Sequence, residues 1–482
     1  MGKQNAKNES QPIHPCAEVS PREKAFLLQG DRKIHIFAQS ASRYSLLFKY
    51  FKDHPPIDPE KPVNLFIQDK EQAIEIGPCR ILMNAGKNED TGRLVSFQDL
   101  YDFYQVFQQK KLVKLQAGFQ DLPLLLAIKN EIKPEFKGYV ADLKYDLQVY
   151  KNLFDNLDSK YHAEPEEAKN SIQETIIRTE GPSFRRFFED KLDELKSIVD
   201  DFTWKEHQCH GYYFRNQLWG LIHCSPFTAR ATQKPRGYAG DFGLMQMIYL
   251  NNYQGDSTYS KLTHKHAVEH AATQSVRHRI KLIAQLLDNH KNSSPLLSRG
   301  KIKVLSVGCG PAFELKNILK SPRDCLNYHF TLFDQDNAAL LRASELIDKI
   351  GNRFNSVPEV EYIQGSVRSM LFSRKFEQKW GQYHFIYSLG LFDYLSSRVA
   401  KAVLDRLFRI LKPGGELVVG NFHVSNPSKY YMAYWGGWHL ILRTEENFKS
   451  LFQHTPSGKC SVLYDNTGIQ MFLRIKKNVK GA

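Results

Sequence analysis

Two glycines around a cysteine, Gly308-Cys309-Gly310, follow directly on the apolar run Val304, Leu305 and Val307. A short apolar strand that turns tightly through glycine into a helical segment is suited to hold a nucleoside-bearing cofactor. One glycine permits the turn, and the other leaves no Cβ where the ligand must approach. The next apolar run, Tyr328 to Phe333, ends in Asp334, with Gln335 and Asp336 behind it. An acid about twenty residues past the glycines stands at the tip of a second strand and can accept hydrogen bonds from ribose hydroxyls. A dinucleotide site would call for a third glycine so that the helix packs closely, and Phe313 fills that position. Cys309 reads as a small buried residue lining the turn rather than as a nucleophile.

A sheet must hold these groups, and the chain supplies its strands in order. VEYIQG (360–365) is a third strand, YHFIYSLG (383–390) a fourth and GELVVGNF (415–422) a fifth. Between the last two, Arg398 to Leu411 forms an amphipathic helix stopped by Lys412-Pro413-Gly414-Gly415. A helix-like EENFKSLFQ follows, then SVLYDN and QMFLRI around Thr467-Gly468. Strands alternating with helices give an α/β fold with a doubly wound, mostly parallel sheet. The last two strands, joined by a short turn, must be antiparallel. The motifs VLSVGCGPA, LFDQD, IYSLGLFDYL and LKPGGELVVGNF, in that order over about 270–478, resemble class I S-adenosylmethionine-dependent methyltransferases, a Rossmann-like family. The resemblance implies S-adenosylmethionine as cofactor. It places Gly308, Cys309 and Gly310 along the methionine and ribose, Asp334 and Gln335 at the ribose, and Ser366 and Val367 at the adenine. Ser388, Leu389 and Gly390 would lie beneath the reacting methyl. Enzymes of this kind that act on exocyclic base nitrogens carry an Asn/Asp-Pro-Pro-aromatic motif at this strand end, and Tyr387-Ser388-Leu389-Gly390 departs from it.

Upstream, KIHIFA, VNLFIQ, AIEIGPCRILM and GRLVSF alternate with a period of two, so residues 31–130 are expected to form a small β-rich domain behind a disordered tail, 1–30. The domain resembles PilZ barrels, but their Arg-x-x-x-Arg and Asp/Asn-x-Ser-x-x-Gly ligand motifs are absent from it. From Lys133 the period becomes helical. Residues 131–270 form a helical region in which Gly181-Pro182 separates two helices, and 271–482 form the cofactor-binding domain.

Within the helical region, Lys234-Pro235-Arg236-Gly237-Tyr238-Ala239-Gly240-Asp241 combines a pliable backbone with two cations, an acid and a tyrosine, as a lid over a cofactor would. With SVRHRIKLIAQLL after it, this segment resembles the bacterial extracellular-factor synthase family, over about 135–480. That family's known type makes 3-hydroxypalmitic acid methyl ester, a quorum signal. The resemblance implies methylation of the carboxylate of a hydroxy fatty acid or similar apolar acid. Tyr238, Gly240 and Asp241 would close over the cofactor, and Arg236 would neutralise its carboxylate or the acceptor's.

Chemistry leaves an alternative open. A carboxylate is already ionised near neutrality and needs no base, whereas a hydroxyl or amine does. For a small-molecule O- or N-methyltransferase, His423, just past the fifth strand, is the candidate base. Tyr430, Tyr431, Trp435, Trp438 and His439 could wall an apolar acceptor. A non-enzymatic alternative has the N-terminal barrel sense a nucleotide while the C-terminal fold only binds ligand.

Composition narrows the partners. The 482 residues are 42% hydrophobic and 24% charged, as in globular proteins, with a net charge of +14. The basic residues are scattered and no nucleic-acid-binding signature appears, so nucleic acid is disfavoured. An anionic acceptor, peripheral contact with an acidic membrane surface, and a homodimer stay open. Seven cysteines without metal-ligand spacing point to a reducing cytoplasm and to no metal site.

Overall fold

The computed structural model describes residues 17–18, 24–41, 45–50, 57–68, 73–83, 91–96, 101–109, 122–293, 300–373, 376–452 and 458–479. The chain divides into two compact units, 1–131 and 132–482.

The first unit is an antiparallel barrel of β1 (Ala17–Glu18), β2 (Lys24–Gln29), β3 (Arg32–Ala41), β4 (Leu46–Tyr50), β5 (Val63–Gln68), β6 (Ala73–Met83) and β7 (Thr91–Ser96). The order is β1-β3-β2-β5-β6-β7-β4, and β3 also pairs with β4, which closes β2 to β7 into a ring. Alternation drives this. Ile34, Ile36 and Ala38 of β3 and Val63, Leu65 and Ile67 of β5 point inward and are buried. Phe103, Val106 and Phe107, on the helix Phe103–Gln109, complete that core. The tail expected over 1–30 is therefore partly wrong. Lys24–Gln29 pairs with both β3 and β5, because Ala25 and Leu27 supply inward apolar positions. Residues 1–16 and 19–23 lie outside the described residues.

The second unit opens with two long helices, Pro134–Lys160 and Glu166–Val199. Gly181-Pro182, expected to separate two helices, instead lies inside the second. Pro182 forfeits one backbone bond. Tertiary packing holds the helix through it, with Phe184 and Phe188 buried just beyond and Gly181 leaving room for Leu262.

The sheet that follows contains β8 (Ile302–Val307), β9 (Tyr328–Asp334), β10 (Glu359–Gln364), β11 (Tyr383–Ser388), β12 (Leu411–Phe422), β13 (Gly458–Tyr464) and β14 (Gln470–Lys477). Its order is β10-β9-β8-β11-β12-β14-β13; β10, β9, β8, β11 and β12 run parallel to one another, and β14 is antiparallel to both β12 and β13. Each strand sends alternate side chains into two cores. Val304, Phe330, Phe385 and Val418 enter one, while Leu305, Phe333, Ile386 and Leu417 enter the other. Lys412-Pro413-Gly414-Gly415 does not precede the fifth strand as expected but lies within it. The pairing slips from Tyr383–Leu411 to Phe385–Glu416, so the extra residues bulge, with Gly414 at φ +76°. The helix after the glycine turn is short. It spans only Leu315–Ile318, before Ser321-Pro322 begins another.

Candidate active site

The chain order reverses between β8 and β11, and a crevice opens at the carboxyl ends of strands on either side of such a switch. A cleft of about 480 Å³ lies there. The glycine turn forms one wall. Gly308 and Gly310 adopt φ +65° and +54°, and the Gly308 and Cys309 amides donate to Phe333 O at 2.8 and 3.1 Å. Asp334 secures the turn, accepting from Gly310 N–H at 2.8 Å through one oxygen and from Asp336 N–H at 2.9 Å through the other. Burial pushes its carboxyl upward against these bonds. A Cβ added at Gly310 would meet no protein atom within 4 Å, so it would occupy the open cleft. The turn therefore leaves room for a ligand beside its backbone. Burial also pushes the Cys309 thiol up, in keeping with an inert lining residue.

Gln335, Ser366 and Val367 line the cleft beyond Asp334. The Ser366 hydroxyl accepts from Ser369 N–H at 3.1 Å and starts the helix Val367–Phe372. Leu389 and Gly390 line the cleft at the end of β11, but Ser388 does not: it is fully buried and donates to Val307 O at 2.8 Å, tying β11 to β8.

Tyr238 and Gly240 reach the cleft. Gly240 sits at φ +68°, where a Cβ would lie 2.5 Å from the Tyr394 hydroxyl. The Tyr238 hydroxyl donates to Asp336 at 2.9 Å, and burial together with the facing carboxylates keeps it protonated. Three expected roles are corrected. Arg236 is not among the residues lining the cleft. Its guanidinium grips both oxygens of Asp336, which also caps the helix Asn337–Phe354, so it fastens the loop to the tip of β9. Asp241 faces inward, accepting from Leu244 N–H at 2.9 Å as helix cap and from Arg230 Nε at 2.7 Å. His423 is likewise absent from the lining; its Nδ1 lies 2.6 Å from Ser425 Oγ. Period-two alternation explains this, for Phe422, its neighbour in β12, does face the cleft.

Of the aromatic stretch, Trp438 lines the cleft and donates through Nε1 to the Tyr394 hydroxyl at 2.8 Å. Tyr431 and Trp435 border a second, apolar cavity of about 30 Å³ that shares Val276, Phe422 and Trp438 with the cleft. Tyr430 is turned toward Asp200, at 2.5 Å. His439 lines neither cavity, and burial holds its imidazole down at about 4.

Sequence reasoning missed Arg279, Asp393 and Tyr394, all of which line the cleft. Asp393 is 2% exposed and accepts from Phe422 N–H at 2.8 Å; burial lifts its carboxyl to about 6. A signal existed for Arg279, a charge on the same helical stripe as Val276 and Ile283. Nothing periodic marked Asp393.

Among the described residues no cluster could hold a metal ion, and no helix is long and apolar enough to cross a membrane. Residues 304–415 match the family model described as a methyltransferase domain. No curated protein matches the chain. Solved structures of similar outline include a possible exported protein from Bordetella parapertussis, with 15% identity, covering 64% of this chain and 97% of its own, at a TM-score of 0.39. Others are magnesium protoporphyrin IX methyltransferase from Synechocystis with bound S-adenosylhomocysteine (11%; 43% and 87%; 0.31) and the CurJ carbon methyltransferase (14%; 61% and 80%; 0.37). The glycine cradle and the acid at the end of β9 both lie within the matched region, so the chain carries a methyltransferase domain, with S-adenosylmethionine as its cofactor.

Proposed function

We propose that the protein methylates the carboxylate of an apolar acid, of the hydroxy fatty acid class, to give a methyl ester, as the extracellular-factor synthases that its KPRGYAGDF segment resembles do. The observation that supports this reading is the apolar side of the cleft itself, where Val276, Phe422 and Trp438 offer a surface for the hydrocarbon part of an acceptor. An acceptor with its reacting end in the cleft could direct apolar substituents across those three residues.

The cofactor supplies an electrophilic methyl on a positively charged sulfur. The chain's own part is alignment and exclusion of water. Gly308 and Gly310 would let the ligand lie against bare backbone, while Tyr238 and Gly240, also in the lining, would close over it. Methyl transfer is an in-line displacement, so fixing the two reactants at contact supplies most of the help. The positive charge fades as transfer proceeds, and an apolar wall such as Leu389, Leu391 and Phe422 avoids overstabilising the starting cation. A carboxylate acceptor arrives ionised and needs no proton removed.

Asp393 favours a second reading. A buried carboxyl raised to about 6 in the cleft is poised to take a proton from a hydroxyl or amine, a role His423 is not placed to play. The test is to incubate the protein with methyl-labelled cofactor and a lipid extract. Label in an organic-soluble, base-labile product supports the ester, and base-stable label rules it out.

A further inference from the structure

We infer that Arg279 is the carboxylate-binding residue of this cleft. The residue is 7% exposed, on the helix Ala271–Ser293, and lines the cleft from the apolar stripe of that helix. Its hydrogen bonding is incomplete. Nη1 donates to Leu389 O at 3.2 Å, Nη2 lies 3.6 Å from the weak acceptor Sδ of Met245, and buried Nε has no partner. The neutral Tyr249 hydroxyl is a further acceptor for the guanidinium, which still leaves Nε unpaired.

No carboxylate among the described residues comes within ion-pair distance of Arg279. The two acids that feel its charge are committed elsewhere. Glu314 accepts from the Tyr387 hydroxyl at 2.8 Å, and Asp393 accepts from Phe422 N–H at 2.8 Å. Taking a cation out of water without a paired anion is costly, and such groups are retained where something compensates them. The planar fork of arginine suits a carboxylate held by two parallel bonds. Bare backbone at Gly390 brings the fork to the tip of β11, since a Cβ there would sit 3.3 Å from Nη1.

Two carboxylates enter such a site, the one on the cofactor's methionine portion and the one on the acceptor. The first requires only the methyltransferase activity, whereas the second rests on the ester reading above. In either case Arg279 takes the task that the sequence assigned to Arg236.

Calorimetry on the full-length protein separates the sources. S-adenosylhomocysteine carries the amino-acid carboxylate, 5′-methylthioadenosine lacks it, and hexadecanoate added after saturation with S-adenosylhomocysteine stands for the acceptor. If Arg279 holds the cofactor, Arg279→Met weakens S-adenosylhomocysteine about 10- to 100-fold and leaves 5′-methylthioadenosine unchanged. If it holds the acceptor, S-adenosylhomocysteine is unchanged and hexadecanoate weakens by a similar factor. Equal affinity of parent and variant for both carboxylate ligands overturns the inference. So does unchanged S-adenosylhomocysteine affinity with no hexadecanoate uptake by the parent. Should Arg279→Met lose 5′-methylthioadenosine, Arg279→Lys decides, because it keeps the charge but not the fork. Selective weakening of a carboxylate ligand then supports the inference, and loss of 5′-methylthioadenosine again, or no change, overturns it. Base lability of the product made by the parent judges the ester reading separately.

Discussion

Replacing Asp393 with Asn should stabilise the C-terminal unit at neutral pH by about 3 kcal/mol. Asp393 lies in the turn Phe392–Tyr394, where burial raises its carboxyl to about 6 despite the Phe422 N–H and the charges of Arg279 and Arg443. In the unfolded chain the same group titrates near about 3.9. Between those values the native state keeps a proton that the unfolded state has released, so stability falls as pH rises through the window. A shift of about two pH units at about 1.4 kcal/mol each gives about 3 kcal/mol. Asn keeps an oxygen for the Phe422 amide and never ionises. Parent and Asp393→Asn should therefore match near pH 4 and diverge to the full difference by pH 7. Urea unfolding followed by tryptophan fluorescence reads this unit alone, since Trp204, Trp219, Trp380, Trp435 and Trp438 are all in it. A difference independent of pH, or a variant less stable at pH 7, refutes the reasoning. The same variant weighs the two chemical readings. A base would cost about 100-fold or more in turnover when removed, whereas the ester reading expects turnover to persist.

His423→Ala should leave both cofactor affinity and turnover within about twofold of the parent by steady-state kinetics, because its ring pairs with Ser425 outside the cleft. Gly310→Val should abolish measurable S-adenosylhomocysteine uptake in calorimetry, since the new side chain fills the cradle. Its unfolding free energy should drop by only about 1–2 kcal/mol, for the positive φ. Arg236→Met should loosen the loop and raise the S-adenosylhomocysteine Kd about 3- to 30-fold, while Arg236→Lys recovers part of the affinity.

Much of the sheet was legible because its strands are short, apolar and separated by turn residues, and the glycine turn needed backbone freedom that only glycine supplies. The fourth strand, the reversed final hairpin and the acid at the end of β9 follow from such local signals. Side-chain direction was less legible. His423 sits next to a cleft residue but faces away, and Asp241 is drawn inward by Arg230 and the helix it caps. Arg236 meets Asp336, one hundred residues distant, a pairing that no local pattern encodes. Local breaking signals also yielded to packing: Pro182 stays within a helix, and Pro413 and Gly414 sit in a bulged strand. Arg279 was visible only as a charge on an apolar stripe, a position whose meaning depends on the cleft that it faces.

Calorimetry of the purified full-length protein with S-adenosylhomocysteine and, separately, with a nicotinamide dinucleotide tests the assignment of the cleft most directly. The account predicts one saturable site for S-adenosylhomocysteine, eliminated by Gly310→Val, and no heat with the dinucleotide. Uptake of the dinucleotide with none of S-adenosylhomocysteine would contradict it.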